Sequence, residues 1–163
     1  MANKSNKNSN QSSQKMPVPL ASLPAVLLPW YDREKRSLPW RDIVTPYRTW
    51  VSEIMLQQTR VQAVLPYFER FMSAAPDVPA LAELAEDRLL SLWQGLGYYS
   101  RARSLQRSAR VMVDQYGGCL PDTYSDLIQL PGIGDYTAGA ILSIALIKPF
   151  LPLTATYCVS RRG

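Results

Sequence analysis

The sequence predicts an all-α protein, and three observations carry that expectation. Trp50, Ile54, Val61, Leu65, Phe68 and Met72 fall three, four or seven residues apart, which draws one apolar stripe along helical turns. No stretch of useful length alternates polar and apolar residues as a half-buried strand does. The helical segments differ in length and show no fixed period, which excludes a solenoid of repeated hairpins.

The elements follow in order. Residues 1–22 begin MANKSNKNSNQSSQKM, which is Asn, Ser, Lys and Gln with almost nothing apolar. Such a segment cannot offset the entropy of ordering, so a disordered tail is expected, with Met16 a second candidate start. LPAVLLPWYDREKR, from Leu23, reads as a helix. Pro24 suits its first turn, whereas Pro29 should kink or restart it. SLPWRDIVTPYRTW, with Pro39 and Pro46, reads as a structured loop, and the apolar stripe then starts at Trp50. A break is expected near Gln58–Thr59 and a bend at Pro66. VPALAELAEDRLLSLWQGL gives one or two short helices ending at Gly95 or Gly97. SRARSLQRSARVMVDQYGG is a helix with a Gly-Gly stop. DTYSDLIQL is a short helix that Thr123 or Ser125 could cap, and DYTAGAILSIAL is another, opened by Asp135.

Bulk properties narrow the function classes. An apolar fraction of 47% can fill a core, and 163 residues suit one domain, or a domain and a fragment. No apolar run reaches the length of about 18 residues that a membrane span needs, and the N-terminus lacks a secretory apolar core. An intracellular setting follows as the simpler expectation. The net charge of +5 is less informative than it looks. Lys4, Lys7, Lys15, Arg161 and Arg162 lie at the two ends, and residues 17–150 hold equal numbers of basic and acidic side chains. A basic surface must therefore be local. Arg101, Arg103, Arg107 and Arg110 form one candidate, although such a run also suits a solvated helix face. Cys119 and Cys158 have neither a metal-ligand spacing nor a disulfide framework.

Two stretches point to chemistry. LPGIGDYTAGAI, residues 130–141, ends one helix, turns tightly and opens another. Gly132 and Gly134 leave backbone N–H groups uncovered beside a helix start, which suits an anion; a plain helix connector is the bland alternative. A phosphate held there positions a duplex without reading its sequence. SEIMLQQT, residues 52–59, sets Glu53 among apolar residues, followed at once by Gln57, Gln58 and Thr59. A carboxyl in an apolar pocket keeps its proton and can donate it.

The Leu-Pro-Gly-hydrophobic-Gly turn closely resembles the helix-hairpin-helix motif of DNA repair proteins. Together with TPYRTWVSEIMLQQTRVQAVLPYFERF and LWQGLGYYSRARSL, it makes residues 26–150 similar to the adenine DNA glycosylases, which remove adenine mispaired with 8-oxoguanine. The resemblance implies a helix-hairpin-helix glycosylase fold over residues 23–150, with the motif itself at 125–148. It places Glu53 as the catalytic acid that protonates the adenine ring. It places Arg36, Trp40, Arg41 and Leu56 around the adenine. Gln57, Gln58 and Thr59 become a wedge that props the duplex open, and Tyr98 an aromatic that intercalates beside the lesion. Gly132, Gly134, Arg101 and Arg103 complete the expected DNA contacts. At Tyr136 the related endonuclease III enzymes carry a lysine that forms a Schiff base and cuts the strand. A tyrosine cannot do this, so the resemblance implies a monofunctional glycosylase in which Tyr136 helps hold the catalytic carboxylate. The implied partner is a duplex with an 8-oxoguanine:adenine or guanine:adenine mismatch, met by a monomer in a bacterial cytoplasm.

After Phe150 the resemblance stops. The family continues with Val-Asp-Gly-Asn-Val-x-Arg-Val, whose Asp stabilises the positive sugar. Here the chain reads LPLTATYCVSRRG, Thr154 stands at the Asp position, and no acid follows Asp135. The third base of each codon joined to the first two of the next can spell Val-Asp-Gly-Asn-Val-Leu-Arg-Val. A frameshift near codons 148–152 is therefore expected, with 151–163 an aberrant tail. The family's [4Fe–4S] ligands would lie beyond Gly163, and this chain supplies no cofactor or metal site of its own. An impaired fragment is the expectation for the chain as written. The rival classes are a non-catalytic helix-hairpin-helix DNA-binding module and a strand-cutting lyase, which the missing hairpin lysine opposes.

Overall fold

The computed structural model describes residues 22–146. Residues 1–21 and 147–163 lie outside the described residues, and with them the expected tail at 1–22 except its last residue, the expected tail at 151–163 with Thr154, and the last positions of the expected domain and hairpin. The chain divides into two compact units, Met1–Arg36 and Ser37–Gly163.

In the first unit, helix α1 spans Leu23–Glu34. Pro24 sits in its first turn as expected, but Pro29 lies inside one continuous helix. Its end closes when the Lys35 N–H donates to the Tyr31 carbonyl at 2.7 Å. Val26, Leu28 and Trp30 are exposed.

The second unit is helical throughout its described part. Helix α2 covers Pro39–Asp42, α3 Pro46–Leu56, α4 Val61–Ala74, α5 Val78–Glu83 and α6 Glu86–Trp93. Then come α7 at Tyr99–Tyr116, α8 at Tyr124–Leu127 and α9 at Asp135–Ile141, which runs into a π-helical turn at Leu142–Leu146. Helix α3 is the axis of the core. Its Trp50, Val51 and Met55 are fully buried, and it packs against α4, α7 and α9. Phe68 and Phe71 of α4, Leu89 and Trp93 of α6, and Leu105 and Met112 of α7 fill the space around it.

Two departures from the sequence reading have local causes. Helix α3 starts at Pro46 rather than Trp50, because the Thr45 hydroxyl accepts from the Arg48 N–H at 3.1 Å and Pro46 needs no N–H partner. The expected loop before it contains α2, which Arg48 ties down. Its guanidinium donates to the carbonyls of Pro39 at 2.9 Å and Ile43 at 3.1 Å, and lies over the Phe68 ring. Pro66 sits inside α4 without ending it. Thr123 caps α8 as expected, accepting from the Asp126 N–H at 3.2 Å. Asp135 opens α9 as expected, following Gly134 as the cap residue, and its carboxylate accepts from the Tyr124 hydroxyl at 2.8 Å. Cys119 is buried, with its Sγ 3.6 Å from the Gly117 carbonyl.

Candidate functional site

The core helix sets the position of Glu53. Ser52 and Ile54 face inward and are buried, while Glu53 between them is only half-buried, on the side where α3 meets α9. Burial pushes its carboxyl pKa above the ordinary glutamate range, because the charged form loses hydration. A hydrogen bond with Tyr136 and the positive charge of Arg41 oppose that shift without cancelling it. The carboxyl thus holds its proton more firmly than an exposed glutamate would. Tyr136 stands at the second position of α9 and is 76% exposed, so α9 delivers it across to α3 from outside the core. Glu53 is thus influenced by two other residues singled out in the sequence, through a hydrogen bond with Tyr136 and through the charge of Arg41.

The other residues expected around the adenine are Trp40, Leu56 and Arg36. Trp40 is buried and packs edge-on to Phe68, with ring centroids 5.1 Å apart. Leu56 is half-buried at the end of α3. Arg36 is exposed and belongs to the first unit.

The turns after α3 and before α7 share an unusual backbone. Gln58 has φ of 56° and Tyr98 φ of 49°, and among the described residues these are the non-glycine positions with positive φ. Each costs about 1–2 kcal/mol relative to the ordinary region. Tyr98 is 61% exposed and Gln58 is also exposed, so both side chains are available to a ligand.

Arg101 lies where the two turns meet. Its Nη1 donates to the carbonyls of Ile54 at 3.0 Å, Met55 at 2.9 Å and Gln57. Its Nη2 donates to the Thr59 hydroxyl at 3.3 Å and the Gly97 carbonyl at 3.2 Å. The three α3 carbonyls are those that a helix end leaves without partners, so a cation there also meets the negative end of the dipole. The guanidinium is thus occupied by the protein's own oxygens. Arg103 is exposed and pairs with Glu86 at 2.8 Å; the two line a cleft of about 330 Å³ with Arg107 and Arg110.

The hairpin supplies the third turn. Gly132 has φ of 81°, and a Cβ there would lie 2.9 Å from the Ser104 Cβ of α7. Gly134 has an ordinary φ of −101° and open space where a Cβ would be. The N–H groups of Gly134, Asp135, Tyr136 and Thr137 open α9 and have no carbonyl within the helix to reach. A small cleft of about 90 Å³, lined by Ile54, Gln57, Ser100, Arg101, Ser104 and Gly132, joins all three turns.

A [4Fe–4S] cluster does not fit the residues present. It needs four thiolates, the chain has two cysteines, and the described residues include no group of three His, Cys, Asp or Glu able to hold a metal. No helix among them is long and apolar enough to cross a membrane.

Residues 51–154 match the HhH-GPD superfamily of base excision DNA repair proteins. The adenine DNA glycosylase of Buchnera aphidicola subsp. Baizongia pistaciae is 46% identical over 118 residues, covering 72% of this chain and 34% of that protein. The adenine DNA glycosylase of Mus musculus is 50% identical over 128 residues, covering 73% of this chain and 25% of that protein. The chain thus spans about a third of the one and a quarter of the other. Among solved structures, a thermostable thymine-DNA glycosylase aligns with a TM-score of 0.69 at 26% identity, covering 75% of this chain and 57% of that one. An endonuclease III trapped as a covalent intermediate with DNA aligns with a TM-score of 0.64 at 20% identity, covering 74% and 55%, a likeness of fold. The match over residues 51–154 and the identity to these relatives place the chain in the HhH-GPD superfamily of base excision DNA repair proteins.

Proposed function

We propose that this chain carries the acid and the duplex-opening elements of an adenine DNA glycosylase, acting on adenine opposite 8-oxoguanine or guanine. The observation that carries the reading is Glu53, half-buried on the core helix, with its carboxyl pKa raised and Tyr136 bound to it. Glu53 donates its proton to the adenine ring. The N-glycosidic bond then breaks with its electron pair leaving on the base, and the sugar becomes positive. Tyr136 has no amine, so no Schiff base forms on it and the strand stays intact. Gln57, Gln58, Thr59 and Tyr98 occupy the gap left by the extruded base. The N–H groups of Gly132, Gly134, Asp135, Tyr136 and Thr137 hold a phosphate without reading bases. The enzyme would act as a monomer on chromosomal DNA in a bacterial cytoplasm.

The positive sugar needs an anion, and Thr154 offers none. We take residues 151–163 to be read out of frame, with Val-Asp-Gly-Asn-Val-Leu-Arg-Val in the shifted frame, and the chain as written to be catalytically impaired. That same lack of an acid favours, as a second reading, a DNA-binding module without catalysis.

Single-turnover adenine release from an 8-oxoguanine:adenine duplex tests both. The chain carrying the shifted-frame continuation should release adenine, and Glu53→Gln in it should slow release by about 10²–10⁴-fold. The chain as written should bind the duplex in a salt-sensitive way and release none. Normal release by the chain as written would overturn the impairment. Release unaffected by Glu53→Gln would overturn the role of the acid.

A further inference from the structure

We propose that Arg101 is a positioning residue that locks the Gln58 turn and the Tyr98 turn into one rigid wedge, without itself contacting DNA. The geometry carries this. One guanidinium joins two segments, with acceptors 42 to 47 residues before Arg101 at Ile54, Met55, Gln57 and Thr59 and another 4 residues before it at Gly97. Its plane also lies 5.5 Å from the Tyr98 ring centroid and 5.6 Å from that of Trp93. Both turns that it joins hold a non-glycine residue in the left-handed region, a conformation that persists only when the surroundings fix it. The forked, planar donor set reaches both sides at once. A lysine would keep the charge but has a single nitrogen at its tip and cannot span them.

The role as a wedge rests on the proposed function; the mechanical link between the turns does not, so the two can fail separately. Hydrogen exchange on the chain itself tests the link. The Thr59 N–H, bonded to the Leu56 carbonyl, reports one turn, and the Leu96 N–H, bonded to the Trp93 carbonyl, reports the other. Arg101→Lys should speed exchange at both by about tenfold. Thr59→Ala removes one acceptor and leaves the core intact, so it covers the case in which the lysine variant does not fold. It should speed exchange at Leu96 as well as in its own turn. Exchange that changes in one turn alone, or in neither, overturns the link.

Duplex binding then separates positioning from contact. Arg101→Lys should reduce the fluorescence of a 2-aminopurine placed beside the mismatch, which reports unstacking. The slope of log affinity against log salt should stay unchanged between Arg101→Ala and the parent. A slope shallower by about one phosphate contact would make Arg101 a DNA ligand and overturn the proposal. A parent chain that gives no unstacking signal, with both turns still linked in exchange, would reject the wedge function and leave the mechanical link standing.

Discussion

The hairpin turn and the two wedge turns solve the same backbone problem in different ways. All three need a residue in the left-handed region. The hairpin uses Gly132, which adopts φ of 81° without strain and lets Ser104 of α7 pack where a Cβ would be. The wedge turns use Gln58 and Tyr98, which are strained there. The difference follows what each turn offers a ligand. The hairpin presents backbone N–H groups, so a side chain at the turn would only obstruct. On the proposed function Gln58 and Tyr98 must present side chains, so glycine serves beside them, at Gly95 and Gly97, but not at these two positions, and Arg101 holds the strain.

Substitutions can break or sharpen that contrast. Gly132→Ala should have the largest effect, destabilising the chain by about 2 kcal/mol or more, since it adds both left-handed strain and a clash with Ser104. Denaturant unfolding measures it, and a loss under about 0.5 kcal/mol would mean that the turn relaxes freely. Gln58→Gly should do the opposite, stabilising by up to about 1 kcal/mol as strain is relieved, while mismatch unstacking is lost. Gly134→Ala should leave stability within about 0.5 kcal/mol, because φ is ordinary and the space is open. Its methyl would still stand at the phosphate approach and weaken duplex binding at every sequence. Arg103→Ala should change stability least, within about 0.5 kcal/mol, because its partner Glu86 and its own side chain are each more than half exposed.

What the sequence disclosed follows from what is local. The helical stripe through Trp50, Ile54 and Phe68, the Gly-Gly stop after α7 and the Pro-Gly-Ile-Gly hairpin are each set by neighbours within a few residues, and all appear in the structure. The start of α3 was also legible in principle, as Thr45 followed by Pro46, but proline density suggested a loop instead. The meeting of Glu53 with Tyr136 was reached through the family resemblance rather than through spacing, since α3 and α9 lie far apart in sequence. Arg101 marks the limit. Arg101 sits in a run of arginines that looks like a DNA-facing surface, yet its acceptors are carbonyls at the far end of another helix. No local pattern says which way so long a side chain turns.

The central claim is that burial on α3 raises the proton affinity of the Glu53 carboxyl while its hydrogen bond with Tyr136 offsets part of that rise. The sign is fixed by the physics. A carboxyl whose pKa is raised on folding binds its proton more tightly in the fold, so its ionisation costs stability as pH rises through that raised value. The most direct measurement is a carbon-13 NMR titration of the Glu53 side-chain carboxyl, in the parent chain and in Tyr136→Phe. The account predicts a midpoint above that of an exposed glutamate in the parent, and higher still in Tyr136→Phe, where the hydrogen bond favouring the charged form is gone. A parent midpoint at or below the exposed value, or one that Tyr136→Phe lowers, would contradict it.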